Sequence, residues 1–158
     1  MNHELALSIL KQLSAQGVKT LAVCAGARNA PFIHILEKSE GFEVLSFFDE
    51  RSAAFFALGR AKREERPVAV LTTSGTAVSE LLSAGIEAFY SNVPLVFLTS
   101  DRPKRLRGSG APQTIKQKDI FQNYAEFIYD LDTSMEIQVV LLPRRLSNGG
   151  GQTLHKRL

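Results

Sequence analysis

Glu50, Arg28, Arg102 and the run Thr73-Ser74-Gly75 are the residues of this chain best equipped for chemistry. They fall in four short segments: Gly26-Ala27-Arg28-Asn29-Ala30-Pro31, Phe48-Asp49-Glu50-Arg51, Thr72-Thr73-Ser74-Gly75-Thr76-Ala77 and Asp101-Arg102-Pro103. A carboxyl in a dry pocket makes strong hydrogen bonds and holds its proton to higher pH. Planar guanidinium groups grip carboxylates through paired hydrogen bonds. Each segment follows a short apolar run, and ligands of open α/β sheets gather outside the carboxyl ends of parallel strands. The four segments together therefore predict one shared crevice. Taken singly, each admits a plainer role. Glu50 suits the positive end of a helix dipole, Thr73–Gly75 a helix cap, and each arginine a surface ion pair.

The elements that must position these residues follow from periodicity. Leu5, Ile9, Leu10 and Leu13 recur at helical spacing between Glu4 and Gln16, and Gly17 follows as a C-cap. Thr20–Ala25 reads as a buried strand, after which Asn29-Ala30-Pro31 opens a helix with a cap residue and an early proline. A strand at Phe42–Phe48, a helix at Arg51–Arg63, a strand at Val68–Thr72, a helix at Ser74–Tyr90 and a strand at Pro94–Ser100 continue the alternation. Such alternation predicts right-handed βαβ units, hence an α/β fold: one three-layer domain with a mainly parallel sheet. The polar stretch from Asp101 to Lys118 is too long for a routine connection, which points to function or disorder. Phe121–Leu131 returns to an apolar and aromatic pattern and contains a short strand.

Bulk properties narrow the classes. The length of 158 residues suits one domain with a proper core. No apolar run approaches the roughly 20 residues of a membrane span. Met1-Asn2-His3-Glu4-Leu5 lacks the basic-then-apolar signal-peptide pattern, so a cytoplasmic protein is expected. Cys24, the single cysteine, lies in an apolar run and reads as a small buried hydrophobe. The net charge of +3 is concentrated at the end, because residues 138–158 carry Arg144, Arg145, Lys156 and Arg157 and no acid. The preceding residues hold the other 15 cations against 16 acids, a charge of −1. A phosphate-binding patch belongs on the folded body, so nucleic acid is rejected as a partner.

The four segments, together with Gly110-Ala111-Pro112-Gln113-Thr114-Ile115-Lys116-Gln117, resemble the N-terminal, pyrimidine-binding domain of thiamine-diphosphate enzymes. Among these they are most similar to the menaquinone-pathway synthases that join decarboxylated 2-oxoglutarate to isochorismate. The matches stay in order from about Leu5 to Leu131. The resemblance implies that Glu50 hydrogen-bonds N1′ of the aminopyrimidine, favouring the imino tautomer whose 4′-nitrogen removes the thiazolium C2 proton. It implies that Thr73, Ser74 and Gly75 lie along the cofactor, and that Arg28 and Arg102 hold substrate carboxylates. Gln113 matches a substrate-contacting glutamine. Where the family commonly has Gly-Ser-Arg-Ser, this chain has Gly26-Ala27-Arg28-Asn29, losing a hydroxyl at Ala27 while Asn29 offers another polar group nearby. Pro112 stands where asparagine is common.

The resemblance also implies a diphosphate-binding domain in which Gly-Asp-Gly and Asn-Asn hold magnesium or manganese and the diphosphate. No Gly-Asp, Asp-Gly or Asn-Asn occurs in this chain, so it is expected to be inactive alone. A homodimer or higher oligomer is expected, with the cofactor-facing surface partly apolar. A subunit of a split enzyme and a non-enzymatic small-molecule-binding module are the two rival readings. Residues 1–137 are expected to form the pyrimidine-binding domain and 138–158 an atypical basic tail. Shifting the back-translated tail by one base permits an alanine-rich helix followed by a family-like strand, which suggests a frameshift between about Met135 and Pro143. Pro143 and Gly149–Gly151 give such a tail little means of packing.

Overall fold

Short, largely apolar runs form the middle of the sheet: β1 (Thr20–Cys24), β3 (Val68–Thr72) and β4 (Leu95–Ser100), with every residue buried. Burial on both faces requires a helical layer on each side. The computed structural model describes residues 3–131 and 137–142, and both layers are present in it. On one face α1 (His3–Ala15) and α2 (Ala30–Leu36) pack Leu10, Leu13, Phe32 and Leu36 against Leu21, Val23, Leu71 and Leu98. On the other, α3 (Glu50–Glu64), α4 (Thr76–Glu80) and α5 (Leu82–Ser91) cover Ala22, Val70, Leu95 and Phe97. The buried stripe of α3 is mainly alanine, Ala53, Ala54, Ala57 and Ala61, and small side chains let a helix lie close on the sheet.

Six strands run in the order β2-β1-β3-β4-β6-β5, where β2 is Glu43–Phe47, β5 is Phe127–Leu131 and β6 is Ile137–Leu141. The pairs β1–β2, β1–β3 and β3–β4 are parallel, while β6 runs antiparallel to both β4 and β5. The expected α/β fold with a mainly parallel sheet is therefore observed. From β1 the chain moves outward to β2, and from β3 it moves the opposite way to β4. The topological switch lies between β1 and β3.

Two expectations change. The single helix expected over Ser74–Tyr90 is two, α4 and α5, separated at Leu81. There the Leu81 N–H bonds to the Val78 carbonyl at 3.2 Å, a tighter turn than an α-helix makes. Leu81 is fully buried, and an added Cβ on Gly85 would sit 3.2 Å from the Phe97 ring, so α5 lies directly on the sheet. The boundary expected at 137 falls inside β6. Ile137-Gln138-Val139-Val140-Leu141 is β-rich enough to fill the gap between β4 and β5, and residues 138–142 are buried in the sheet rather than in a tail. Residues 143–158, on which the frameshift reading mostly rests, lie outside the described residues.

Candidate functional site

The carboxyl ends of β2, β1, β3 and β4 stand side by side, and each of the four sequence segments leaves one of them. At the switch point the β1 and β3 loops meet, with Gly26 against Thr73. Asn29 fastens the β1 loop from within. Its Oδ1 accepts from the Gly26 N–H at 2.9 Å, and its Nδ2 donates to the Cys24 carbonyl at 2.8 Å. Asn29 is fully buried, so its amide shapes the loop, leaving Ala27 exposed and Arg28 half-buried as the residues the loop presents.

Glu50 begins α3, yet it is not the cap. That role falls to Asp49, whose Oδ1 accepts from the Ser52 N–H at 2.6 Å. This bond holds the Asp49 carboxyl below the ordinary range, helped by the nearby Arg51 charge. Glu50 makes no hydrogen bond or ion pair with a described residue. It is half-buried and borders a groove of about 280 Å³ lined by Val23, Cys24, Ala25, Ser46, Phe47 and Phe48. Burial, with the Glu50 and Asp49 charges behind it, pushes the Cys24 thiol up to about 12. The cysteine is 2% exposed and stays a neutral thiol, as its apolar run predicted.

The β3 loop is clasped by the long segment after β4. Ser74, 1% exposed, donates its Oγ to the Gln113 carbonyl at 3.2 Å. Gly75 has φ +84°, and a Cβ there would lie 3.0 Å from the Gln113 carbonyl oxygen, so the two backbones are in contact. Its N–H donates to Gln117 Oε1 at 3.2 Å. Arg102 donates Nε and Nη2 to the Pro112 carbonyl at 3.1 and 2.8 Å, and Nη2 to Gln113 Oε1 at 3.4 Å. Thr73, Ser74, Gly75, Arg102 and Gln113 are thus brought into one cluster. Glu50 and Arg28 share the edge of the sheet with this cluster but make no hydrogen bond to it.

Two residues of this region take roles that the sequence did not assign to them. Gln117 is a buried amide that also donates to the Ser100 carbonyl at 2.7 Å. Arg107 pairs with Asp101 at 2.9 Å and takes Asp130 of β5 in a forked contact at 3.1 and 3.3 Å. Burial raises the Asp101 carboxyl, against the opposing pull of the Arg102 N–H bond and the Arg107 charge.

Comparisons with known proteins show the family of the chain. Residues 3–120 match the family described as thiamine pyrophosphate enzyme, N-terminal TPP binding domain. The chain is 55% identical over 132 residues to the 2-succinyl-5-enolpyruvyl-6-hydroxy-3-cyclohexene-1-carboxylate synthase of Bdellovibrio bacteriovorus, covering 84% of this chain and 25% of that protein. Proteins of the same name from Akkermansia muciniphila and Chloroflexus aurantiacus are 52% and 47% identical, over 80% and 86% of this chain and 24% and 23% of theirs. The chain spans about a quarter of the length of these curated relatives. Among the described residues, no helix is long and apolar enough to cross a membrane.

Proposed function

Because the chain belongs to the N-terminal TPP binding domain family of thiamine pyrophosphate enzymes, we propose that it supplies the aminopyrimidine side of the cofactor site in a menaquinone-pathway synthase. The reaction joins decarboxylated 2-oxoglutarate to isochorismate, in the cytoplasm, within a homodimer or higher oligomer. The observation that carries the reading is Glu50: a half-buried carboxyl at a strand end, relieved of capping by Asp49 and without a partner among the described residues. Such a group fits the aminopyrimidine ring, where it holds a proton at N1′. Phe48, fully exposed beside it, and Val44, 39% exposed on the edge strand, support a covering surface from another domain or subunit that would dry the groove.

Thiamine diphosphate, when bound, supplies the electron sink that lets a 2-oxo acid lose carbon dioxide. Thr73, Ser74 and Gly75 line its path, with Gly75 leaving room for the Gln113 backbone that closes over it. Arg28 and Arg102 orient substrate carboxylates. Arg102 has spent Nε and Nη2 on the Pro112 carbonyl, which leaves Nη1 for the substrate. Gln113 reaches the substrate from the exposed segment, and at Ala27 the substrate meets a methyl group in place of a hydroxyl. Asn29 acts on Arg28 through the loop it fastens. The described residues hold no group of three His, Cys, Asp or Glu suited to a divalent cation. Magnesium or manganese, in this reading, is bound with the diphosphate by sequence beyond this stretch of the relatives.

The test grafts residues 3–131 into the Bdellovibrio relative in place of its own matching quarter. Glu50→Gln in that chimera should leave the fold intact and slow C2-proton exchange of bound thiamine diphosphate about a hundredfold or more. NMR without the second substrate reads the exchange directly. Unchanged exchange in the Gln variant would defeat the assignment of Glu50.

A further inference from the structure

Gln113 is exposed and has φ +56°, a backbone conformation that residues with side chains adopt rarely. A conformation of that kind persists only where neighbours over-determine it. Two of the contacts holding it are partly solvated: the Ser74 hydroxyl on the Gln113 carbonyl, and Arg102 on the Pro112 carbonyl. Water competes with both. The contacts made four residues later are of another kind. Gln117 is 2% exposed, and its one planar amide accepts from Gly75 N–H at 3.2 Å while donating to the Ser100 carbonyl at 2.7 Å. It thereby ties the segment to the loop after β3 and to the last residue of β4 together. Breaking these bonds would leave a buried N–H and a buried carbonyl without partners, which is far costlier than losing a solvated bond.

We propose that Gln117 is the positioning residue for Gln113, a buried amide clamp that locks the segment after β4 against Thr73–Gly75. The role needs a donor and an acceptor on one side chain at this reach. Leucine supplies neither, asparagine is a methylene short, and an ionised glutamate can only accept. That Gln113 meets a substrate rests on the reading above. The clamp does not.

Residue-resolved amide exchange on the full chain tests the clamp. In Gln117→Leu, protection at Gly75 and over residues 113–117 should fall at least about tenfold, while amides of β1 and β3 stay within about threefold of wild type. An unchanged Gly75, or an equal loss across β1 and β3, would overturn the proposal. Gln117→Glu supplies a second variant that keeps the shape. Its neutral carboxyl can accept from Gly75 and donate to Ser100, and its carboxylate cannot donate. Burial favours the neutral form, so exchange corrected for intrinsic rates should show wild-type protection near about pH 5 and a loss by about pH 8. Protection indifferent to pH in that variant would also overturn the clamp. In the chimera, Gln117→Leu should raise KM for the carboxylate-bearing acceptor about tenfold and change kcat by less than about threefold. A fall in kcat at constant KM would count against positioning of the substrate contact. A chimera inactive with Gln117 in place would instead count against the proposed function, and the exchange results would still decide the clamp.

Discussion

A Cβ built on Gly26 would lie 2.5 Å from the Cβ of Thr73, with the Thr73 Oγ1 and Cγ2 at 2.9 and 3.0 Å. The loops leaving β1 and β3 therefore touch at the switch point of the sheet, and glycine is what permits the approach. The obstructing atom is the root of a side chain, so no rotamer change relieves it. The Arg28 loop and the Thr73–Gly75 loop are consequently set as one unit.

Gly26→Ala should destabilise the chain by about 1–3 kcal/mol, the scale of overpacking a filled site. Urea denaturation measures it. Adding Thr73→Gly removes the obstructing atom and should recover part of the loss, giving a favourable coupling in a double-mutant cycle. Wild-type stability in Gly26→Ala would mean the loops have room to part.

Asp49 and Glu50 are neighbours with opposite duties, and stability separates them. Asp49→Ala should lower the melting temperature because it removes the acceptor of the Ser52 N–H. Glu50→Gln should change stability by less than about 0.5 kcal/mol, since no described residue depends on that carboxyl. A larger loss from Glu50→Gln than from Asp49→Ala would show that Glu50 serves the helix after all.

Periodicity and strand-end punctuation made most of the parallel half legible. Val68–Thr72 is a strand as read, and the first four strand ends carry the four segments that drew attention. What escaped was long-range. Ile137–Leu141 straddles the boundary expected at 137, and its place between β4 and β5 is set by pairing with strands 37–45 and 6–14 residues earlier, from Ser100↔Ile137 to Val96↔Leu141 and from Leu131↔Ile137 to Phe127↔Leu141. Local signals also fail to assign roles to Gln117 and Arg107, whose partners Gly75, Ser100 and Asp130 only the fold brings near. Asn29 shows the reverse error of scale, since its polar side chain points inward to its own loop.

Thr72 and Thr99 are cross-strand partners on β3 and β4, and both hydroxyls are buried without a hydrogen-bond partner among the described residues. Gln138, opposite Thr99 on β6, has an Oε1 with no partner among the described residues in the same row. An unpaired buried hydroxyl costs free energy that an apolar group of the same shape does not. Thr99→Val should therefore stabilise the chain by about 1 kcal/mol in chemical denaturation. A loss of similar size would reveal an ordered water bridging the row.

Asp101 and Arg107 set a pH dependence whose direction follows from burial. Desolvation raises the Asp101 carboxyl above its ordinary 3.8, despite the Arg102 N–H bond and the Arg107 charge that pull it down. A group with a raised folded pKa binds its proton more tightly when folded. Its contribution to stability is fully present below 3.8 and is lost as pH rises through the folded value. The stability of wild type relative to Asp101→Asn should therefore decline as pH rises from that point and then level off. The carboxyl carbon of Asp101, followed by NMR, should titrate with a midpoint above 3.8, and Arg107→Leu should move the midpoint higher by removing an opposing charge. A midpoint below 3.8 in wild type would mean that the ion pair outweighs burial, and the slope of stability with pH would then reverse.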